Sequence, residues 1–293
     1  MDDADSNLSS SAPAAAKMDD FSSRQAFARH WRQSVRYFGV ARSLRELAAA
    51  IWRAMLELLP SHRHARFGDL DYDWEHSVNT TRSNVGFLTQ LLAGLLGGAY
   101  YASDPWLFEQ IMHQLAASTQ QAVISNEPSA ADEALDYAGL KDFTFIDLGA
   151  GKGRALLMAS DYPFRRIMGV EFMPDLCRAA QENIASYSSG AHSAHSVHSN
   201  DRQKCRQMEM VCLDACDFQF PGEPLVVYLF NPFSEPVFVK VIENLRLSVE
   251  QAPRPVYVAY RYTEHEKLLA AAGWLEKIAG TEQWAVYRNR RFF

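Results

Sequence analysis

The residues best suited to chemistry lie in a glycine-rich turn near the middle of the chain. An apolar run, Phe145–Leu148, is followed by Gly149, Gly151 and Gly153 at alternate positions. Glycine allows a sharp turn and lets a ligand approach the backbone closely, and the first N–H groups of a following helix then face that ligand. The pattern predicts a nucleotide-type ligand at the carboxyl end of a buried strand.

The spacing and the charge of this turn distinguish between kinds of ligand. Dinucleotide-binding turns favour G-x-G-x-x-G, whereas the order here is G-x-G-x-G, with Ala150 after the first glycine. Asp147 stands two residues before Gly149, and its carboxylate would repel a pyrophosphate but suits a cationic amino-acid group. The turn therefore favours a nucleoside that carries such a group. The alternative is an ordinary turn whose glycines coincide by chance.

Two acidic residues end the next two predicted strands. Glu171 is placed to accept both hydroxyls of a ribose, and Phe172 beside it is placed to pack on an adenine ring. Asp214 is placed to accept from the adenine amino group, and the backbone N–H of Ala215 or Cys216 is placed to face a ring nitrogen. The alternatives are a solvent-exposed acid for Glu171 and a helix or turn cap for Asp214.

A fourth predicted strand ends in Asn231-Pro232-Phe233, where the crevice of such a sheet opens. The Asn231 side chain, the carbonyl groups beside it and the Phe233 ring are suited to holding an amine. Transfer by in-line displacement depends more on such positioning than on strong acid–base help. These three residues are therefore the candidate catalytic residues, and the alternative is a turn that only ends the strand.

The four elements, in this order over Asp142–Arg288, resemble the class I (seven-stranded) methyltransferases that depend on S-adenosylmethionine (SAM). The resemblance implies a Rossmann-like fold, SAM as the methyl donor and S-adenosylhomocysteine (SAH) as the product. It also implies cofactor contacts from Asp147, Gly149, Ala150, Gly151 and Gly153 to the methionine half, from Glu171 to the ribose, and from Phe172, Asp214 and Ala215 to the adenine.

A narrower resemblance is to a group of bacterial class I methyltransferases of unassigned substrate. The segments that carry it are Phe145–Arg154, Tyr162–Arg166, Gly169–Glu171 and Tyr228–Phe233. In that group a Tyr followed by Pro precedes the catalytic domain, and Tyr100–Pro105 matches loosely, so Tyr101 or Tyr100 is expected to close over SAM. The turn and the helical N-terminal region also look like the seven-stranded histone-lysine methyltransferases, from which Lys152 departs by its charge.

The Asn-Pro-Phe element is similar to a shortened form of the Asn-Pro-Pro-Tyr motif of amino- and amide-directed N-methyltransferases. Phe233 stands where the second proline would be, and this departure does not favour adenine or glutamine as the acceptor. The resemblance implies N-methylation of a protein side chain or of a small-molecule amine, without identifying the acceptor.

Alternating strands and helices must position these residues. Strands are predicted at 143–148, 166–172, 208–213, 225–230, 255–260, 275–278 and 283–287, and helices at 153–160, 175–187, 235–248 and 264–272. This alternation predicts an α/β, Rossmann-like, mostly parallel seven-stranded sheet with right-handed crossovers. The short turn at Gly280-Thr281 predicts an antiparallel C-terminal hairpin at one edge.

The predicted domain organisation has three parts. They are a disordered tail at 1–20, a helical N-terminal region at 21–139 and a SAM-binding domain at 140–293 with a Ser/His-rich, solvated insertion at 188–204. Within the N-terminal region, helices are predicted at 24–59, 84–96 and 105–115, with a short one ending near Gly139.

A polar, aperiodic segment interrupts these N-terminal helices. It extends from His62 to Thr81, and loops of this composition often carry binding residues. The polar stretch from Asp71 to Arg82, which includes Trp74, is the best candidate for contacts with the acceptor. The N-terminal region is expected to form part of the acceptor pocket and a lid, with Asp71 and Trp74 as the candidate substrate residues.

The composition is that of an ordinary globular protein. The chain has 293 residues, of which 22% are charged, and its formal net charge of −6 does not favour a nucleic-acid partner. The four cysteines form no CxxC pair and the histidines show no ligand spacing, so neither a metal site nor a disulfide framework is expected. No secretory signal or long apolar run is visible, so the expected location is the cytoplasm, without a membrane partner.

The sequence leaves three functional hypotheses open. The first is a SAM-dependent methyltransferase, and the second is a non-catalytic SAM-binding regulatory or assembly protein. The third is a nicotinamide oxidoreductase, which the glycine spacing and Asp147 oppose. The Asn-Pro-Phe element beside a complete set of cofactor residues favours the enzyme, and the sequence does not indicate an oligomeric state.

Overall fold

The computed structural model describes most of the chain from residue 102 onwards and short stretches before it. The described residues are 28, 31–32, 35–36, 39–45, 47–48, 51–52, 72–73, 75–81, 102–121, 137–189, 203–262 and 265–290. Those that lie between residues 28 and 52 are helical. Within these described ranges, no helix combines the length and the apolar character that crossing a membrane requires.

A seven-stranded sheet organises the chain between residues 144 and 289. Its strands are β1 (Thr144–Leu148), β2 (Arg166–Glu171), β3 (Met208–Cys212), β4 (Leu225–Phe230), β5 (Val256–Arg261), β6 (Leu275–Gly280) and β7 (Trp284–Asn289). Their order across the sheet is β3-β2-β1-β4-β5-β7-β6. Neighbouring strands from β3 to β5 pair in parallel, whereas β7 pairs antiparallel with both β5 and β6.

Helices cover both faces of this sheet. They are α1 (Pro105–Gln121), α2 (Arg154–Ala159), α3 (Pro174–Ser188), α4 (Glu235–Gln251) and α5 (Glu266–Ala271), with 3-10 turns at Tyr137–Asp142 and Ala215–Asp217. Successive strand residues point to opposite faces, so Phe145 packs in one apolar cluster with α1 and α2, and Ile146 in a second with α4 and α5. Burial on both faces explains the continuous apolar sequences of β1, β4 and β5.

The predicted fold class is confirmed by this topology. The sheet is α/β, Rossmann-like and mostly parallel, and β6 and β7 form the antiparallel C-terminal hairpin. The hairpin folds back, so that β7 rather than β6 pairs with β5. The domain boundaries remain predictions, although α1 and Tyr72 share an apolar cluster with the sheet.

One expectation about a helix end was wrong, because the helix predicted to end at residue 115 continues to Gln121. The short helix predicted to end near Gly139 lies mostly outside the described residues, and Gly139 itself lies inside the 3-10 turn Tyr137–Asp142. A β-carbon at Gly139 would lie 2.5 Å from Oγ1 of Thr119 in α1, so this glycine permits a close approach of two segments rather than a helix stop.

Candidate functional site

The strand order places a crevice at the carboxyl ends of β1 and β4. The chain moves outward from β1 to β2 and β3, then returns to the other side of β1 with β4. Ligands of open α/β sheets bind at such a reversal of strand order. The predicted cofactor turn follows β1 and the Asn-Pro-Phe element follows β4, so the topology brings these two sequence motifs to the same crevice.

The turn after β1 adopts the backbone conformation for which glycine is suited. Gly149, Gly151 and Gly153 have φ values of 81°, 54° and 84°, in the left-handed region that residues with a β-carbon rarely occupy. The N–H groups of Gly149 and Ala150 donate to the carbonyl of Val170 at 2.8 and 3.0 Å. The turn is therefore fixed to the end of β2. Its left-handed backbone explains why glycine, rather than another residue, occupies these three positions.

Gly149 also brings the turn against the Asn-Pro-Phe element. A β-carbon on Gly149 would lie 2.3 Å from Cβ of Pro232. Pro232 thus lies directly on the cofactor turn, and the residues on either side of it border the same crevice.

Replacing Gly149 with alanine is expected to lower the free energy of unfolding by about 2–3 kcal/mol. Left-handed backbone costs a residue with a β-carbon about 1–2 kcal/mol, and overpacking against Pro232 adds the low end of about 1–3 kcal/mol because a loop residue can shift. Chemical denaturation measures the loss. Gly273→Ala is the control, since the β-carbon position there has open space among the described residues; equal losses in the two variants would contradict the explanation.

Asp147 lies at the base of this crevice. Its residue surface is only 4% exposed, and burial, followed by the nearby charge of Glu171, raises its pKa from 3.8 to about 8. A buried carboxyl of this kind gains from a cationic neighbour, because an opposite charge favours the ionised form. The geometry therefore suits a cationic ligand group at the end of β1.

Glu171, at the end of β2, is held by the backbone around it. One carboxylate oxygen accepts from the N–H of Gly151 at 2.9 Å, and the other accepts from the N–H of Met173 at 2.8 Å. Burial raises the pKa of Glu171, while hydrogen bonds from Met173, Gly151 and Phe172 oppose that rise. The alternative of a solvent-exposed acid is thus wrong, and the carboxylate is fixed beside the glycine turn.

Asp214 caps the turn that follows β3. Its Oδ1 accepts from the N–H of Cys216 at 2.9 Å, and both Asp214 and Ala215 are buried. The structure therefore contains the turn cap that was the alternative for this residue. Phe172 is half-buried after β2, and its predicted contact with adenine, like that of Asp214, stays a prediction.

Asn231 has a strained and well-supported conformation. Its φ of 41° is left-handed, and non-glycine residues of this kind cluster at functional sites. The hydroxyl of Tyr260 donates to Oδ1 of Asn231 at 3.1 Å and accepts from the N–H of His265 at 3.0 Å. Phe233 is half-buried against the apolar cluster of α4 and α5, so of the three candidate catalytic residues Asn231 has the most defined polar geometry.

Sequence reasoning missed a buried polar cluster behind the glycine turn. Arg154 opens α2 and is only 1% exposed. Its Nε donates to Oγ1 of Thr80 at 2.6 Å, a terminal nitrogen lies 3.2 Å from Oδ1 of Asp73, and Thr81 accepts a further hydrogen bond. The guanidinium also lies 4.8 Å from the ring centroid of Tyr72. Residues 72–73 and 75–81, called the strap below, are thereby anchored to α2.

A second contact joins the strap to the glycine turn. Asn183 of α3 accepts from the N–H of Asn79 at 2.9 Å and donates to the carbonyl oxygens of Asn79 and Lys152 at 3.2 and 2.9 Å. Lys152 is buried, which lowers its pKa, and its Nζ lies 3.4 Å from Oδ1 of Asn79. The one signal in the sequence was a charged residue, Arg154, heading an otherwise apolar helix.

Several sequence predictions concern residues outside the described part of the chain. They are Tyr100 and Tyr101 as the residues that close over the cofactor, Asp71 and Trp74 as substrate residues, the tail at 1–20 and most of the Ser/His-rich insertion. Ser103, two residues after Tyr101, is described and accepts a hydrogen bond from the Tyr228 hydroxyl at 3.2 Å. Tyr228 pairs in register with Asp147. Ser103 therefore lies beside the crevice.

Comparison with known proteins found similarity among solved structures. No protein-family model matches the chain, and no curated protein matches it significantly. A ribosomal protein L11 methylase from Lactobacillus delbrueckii subsp. bulgaricus is 14% identical, with 61% of this chain and 78% of that one covered and a TM-score of 0.36.

Two further solved structures are similar at the same level. An RNA methyltransferase from Salinibacter ruber in complex with SAH is 16% identical, over 64% of this chain and 92% of that one, with a TM-score of 0.34. A SAM-dependent methyltransferase from Aquifex aeolicus is 13% identical, over 64% and 98%, with a TM-score of 0.38. Values this low transfer neither an activity nor an acceptor. The expectation that nucleic acid is not a partner therefore stays a prediction.

Proposed function

We propose that this chain is a SAM-dependent methyltransferase that methylates a nitrogen of a protein side chain or of a small-molecule amine. The observation that carries the proposal is Asp147, whose carboxyl is buried at the end of β1 beside a left-handed glycine turn. That site suits the ammonium of a methionine moiety and opposes the pyrophosphate of a nicotinamide dinucleotide. The strand order, with its crevice between β1 and β4, supports the same conclusion.

Glu171 is proposed to bind the ribose of the cofactor. Its carboxylate accepts backbone hydrogen bonds from Gly151 and Met173, with Phe172 as a further donor. A carboxylate has about four acceptor sites, so room remains for a ribose hydroxyl. Because the carboxylate is fixed before the ligand arrives, binding costs little side-chain entropy. Asp214, Ala215 and Phe172 are proposed to enclose the adenine at the neighbouring strand end.

Asn231 is proposed to hold the acceptor nitrogen. Tyr260 orients its carboxamide. The close approach of Pro232 to Gly149 supports a position of Asn231 beside the proposed binding site for the methionine end of SAM. SAM, when bound, supplies an electrophilic methyl group, and the residues of this chain contribute alignment and the exclusion of water. Alignment alone can supply about 7–11 kcal/mol of a barrier, and an amine that arrives unprotonated needs no general base.

Calorimetric titration with SAH, and separately with NADH, tests this function. We expect saturable SAH binding that weakens about 10- to 100-fold in Glu171→Ala, because hydrogen bonds to a charged group contribute about 1.5–3 kcal/mol. Glu250→Ala, an exposed acid on α4, is the matched control and should bind as the parent does. NADH binding that SAH displaces would overturn the proposal in favour of an oxidoreductase.

Catalysis is separated from binding by Asn231→Ala. Incubation with methyl-labelled SAM and fractionated cell extract should yield labelled acceptor and SAH from the parent. The variant should lose turnover while SAH binding stays within a few-fold of the parent. SAH binding without any methyl transfer would instead favour a non-catalytic SAM-binding protein.

A further inference from the structure

Two of the four cysteines meet beside the proposed ribose-binding acid. Cys177 lies in α3 and is buried, whereas Cys212 is the last residue of β3 and is exposed. Cys212 pairs in register with Glu171, and Sγ of Cys177 donates to the Glu171 carbonyl oxygen at 3.3 Å. The Glu171 backbone is thus the common neighbour of both cysteines, and each thiol lies close enough to shift the pKa of the other. The fold therefore brings two cysteines from different elements together at the end of β2.

The environments of the two thiols differ in a way that orders their reactivity. The neighbouring Cys177 thiol, supported by the charge of Arg178, lowers the pKa of Cys212, although burial opposes this. The proximity of Cys212, together with burial, raises the pKa of Cys177. The thiolate is the reactive form, and exposure gives an oxidant access to it. Cys212 is thus the more reactive thiol, and Cys177 is the less reactive, buried thiol near it.

We propose that Cys177 and Cys212 form a reversible disulfide on exposure to hydrogen peroxide, and that this disulfide weakens cofactor binding at Glu171. The first half stands on the position of both cysteines at the Glu171 backbone. The second half depends on the proposed function, because it assumes that Glu171 and its neighbours bind SAM.

The reaction balances with peroxide as the oxidant. The Cys212 thiolate attacks one peroxide oxygen, the O–O bond breaks, and the departing hydroxide takes up a proton, which leaves a sulfenic acid and water. The Cys177 sulfur then attacks the Cys212 sulfur, the S–O bond breaks, and the leaving hydroxide takes the Cys177 proton as a second water. Two thiols are oxidised by two electrons in total, and one peroxide is reduced to two waters.

The disulfide would deform the cofactor site where β2, β3 and α3 meet. A disulfide holds its sulfur atoms about 2.05 Å apart. This separation is shorter than that of two sulfur atoms that are not bonded to each other. The Glu171 carbonyl oxygen accepts from Cys177 and also from the N–H of Leu213 at 2.9 Å. Drawing the two cysteines together therefore displaces the end of β3, and with it Asp214, relative to Glu171.

Peroxide titration of the full chain tests both halves. Treatment should lower the number of free thiols from four to two, and peptide mapping should join Cys177 to Cys212. SAH affinity, measured by calorimetry, should fall about 5- to 150-fold, the range typical of coupled sites, and dithiothreitol should restore thiols and affinity together. Cys212→Ser should retain its SAH affinity under the same treatment, whereas Cys205→Ser, a buried cysteine elsewhere, should respond as the parent does.

The outcomes separate this inference from the proposed function. A map that joins other cysteines, or a Cys177–Cys212 disulfide that leaves SAH affinity unchanged, would overturn the inference and leave the methyltransferase intact. Reduced protein that binds no SAH would overturn the proposed function and the proposed control of binding, while the peptide map would still decide whether the two thiols pair.

Discussion

Asp147→Asn is expected to weaken SAH binding about 10- to 100-fold and to abolish a proton release that accompanies binding in the parent. The pKa of Asp147 is raised to about 8 by burial and then by the charge of Glu171, so its carboxyl is mostly protonated at neutral pH. The ammonium of the ligand favours the ionised form, so binding must expel the proton. The loss in affinity corresponds to a charged hydrogen bond of about 1.5–3 kcal/mol.

The pH dependence of stability should have the opposite sign to that of affinity. The folded-state pKa lies above the ordinary value of 3.8, so between about pH 4 and pH 8 the folded chain holds a proton that the unfolded chain has lost. The free energy of unfolding therefore falls as pH rises through this window. SAH affinity rises over the same window up to about pH 7, above which the ligand's own amino group begins to lose its proton.

Calorimetry at about pH 6.5 in two buffers of different ionisation enthalpy counts the protons released. Asp147→Asn should release fewer than the parent, and its unfolding free energy should lose the fall between pH 4 and pH 8. Asp142→Asn, an exposed acid just before β1, is the matched control and should leave both quantities as in the parent. Equal proton release from the parent and from Asp147→Asn would contradict the assignment of Asp147 to the ligand's ammonium.

The strand–turn–helix unit around Asp147 is predictable because its determinants are adjacent in sequence. An apolar strand, three alternating glycines and a preceding acid are each visible locally, and the handedness rule for crossovers then restricts the sheet to few topologies. Glu171 and Asn231 are predictable for the same reason, since each directly ends a strand.

Contacts between distant segments were not predictable in this way. Arg154 and Asp73 are 81 residues apart, and no local pattern indicates which acid a buried arginine will find. The same holds for Gly139. Glycine is needed there because Thr119 in α1 leaves no room for a β-carbon. The cysteines illustrate it as well: their spacing favoured ordinary thiols, and the proximity of Cys177 to Cys212 arises only from the sheet register.

The strap gives the predicted acceptor segment a second role. Sequence composition marked Asp71 to Arg82 as a binding loop, and in the structure Asp73, Thr80 and Thr81 are used to hold Arg154 at the start of α2. Because α2 begins directly after Gly153, the N-terminal segment supports the backbone of the cofactor turn. Residues of this segment that face the acceptor would then be coupled mechanically to the cofactor site.

Removing the carboxylate of Asp73 should therefore have a large effect on stability. Asp73→Ala removes the carboxylate that lies 3.2 Å from the guanidinium of Arg154, which is only 1% exposed. It also removes the acceptor for the backbone N–H groups of Thr80 and Thr81. Breaking a buried pair from one side costs about 3–5 kcal/mol. Chemical denaturation should show that loss, and SAH affinity should fall with it because the glycine turn loses its support.

The double variant Asp73→Ala/Arg154→Met distinguishes the loss of the ion pair between these two side chains from a general loss of packing. Methionine fills much of the same space without a charge, so the double variant should be more stable than Asp73→Ala alone, since replacing a buried pair by apolar groups is often nearly neutral. Glu243→Ala, which breaks an exposed pair with Arg246 on α4, should change stability little. Arg154→Met alone completes the comparison. If the losses of Asp73→Ala and Arg154→Met simply added in the double variant, the charge pairing would not be what anchors the strap. The support of the glycine turn would then have to come from the hydrogen bonds of Asn183.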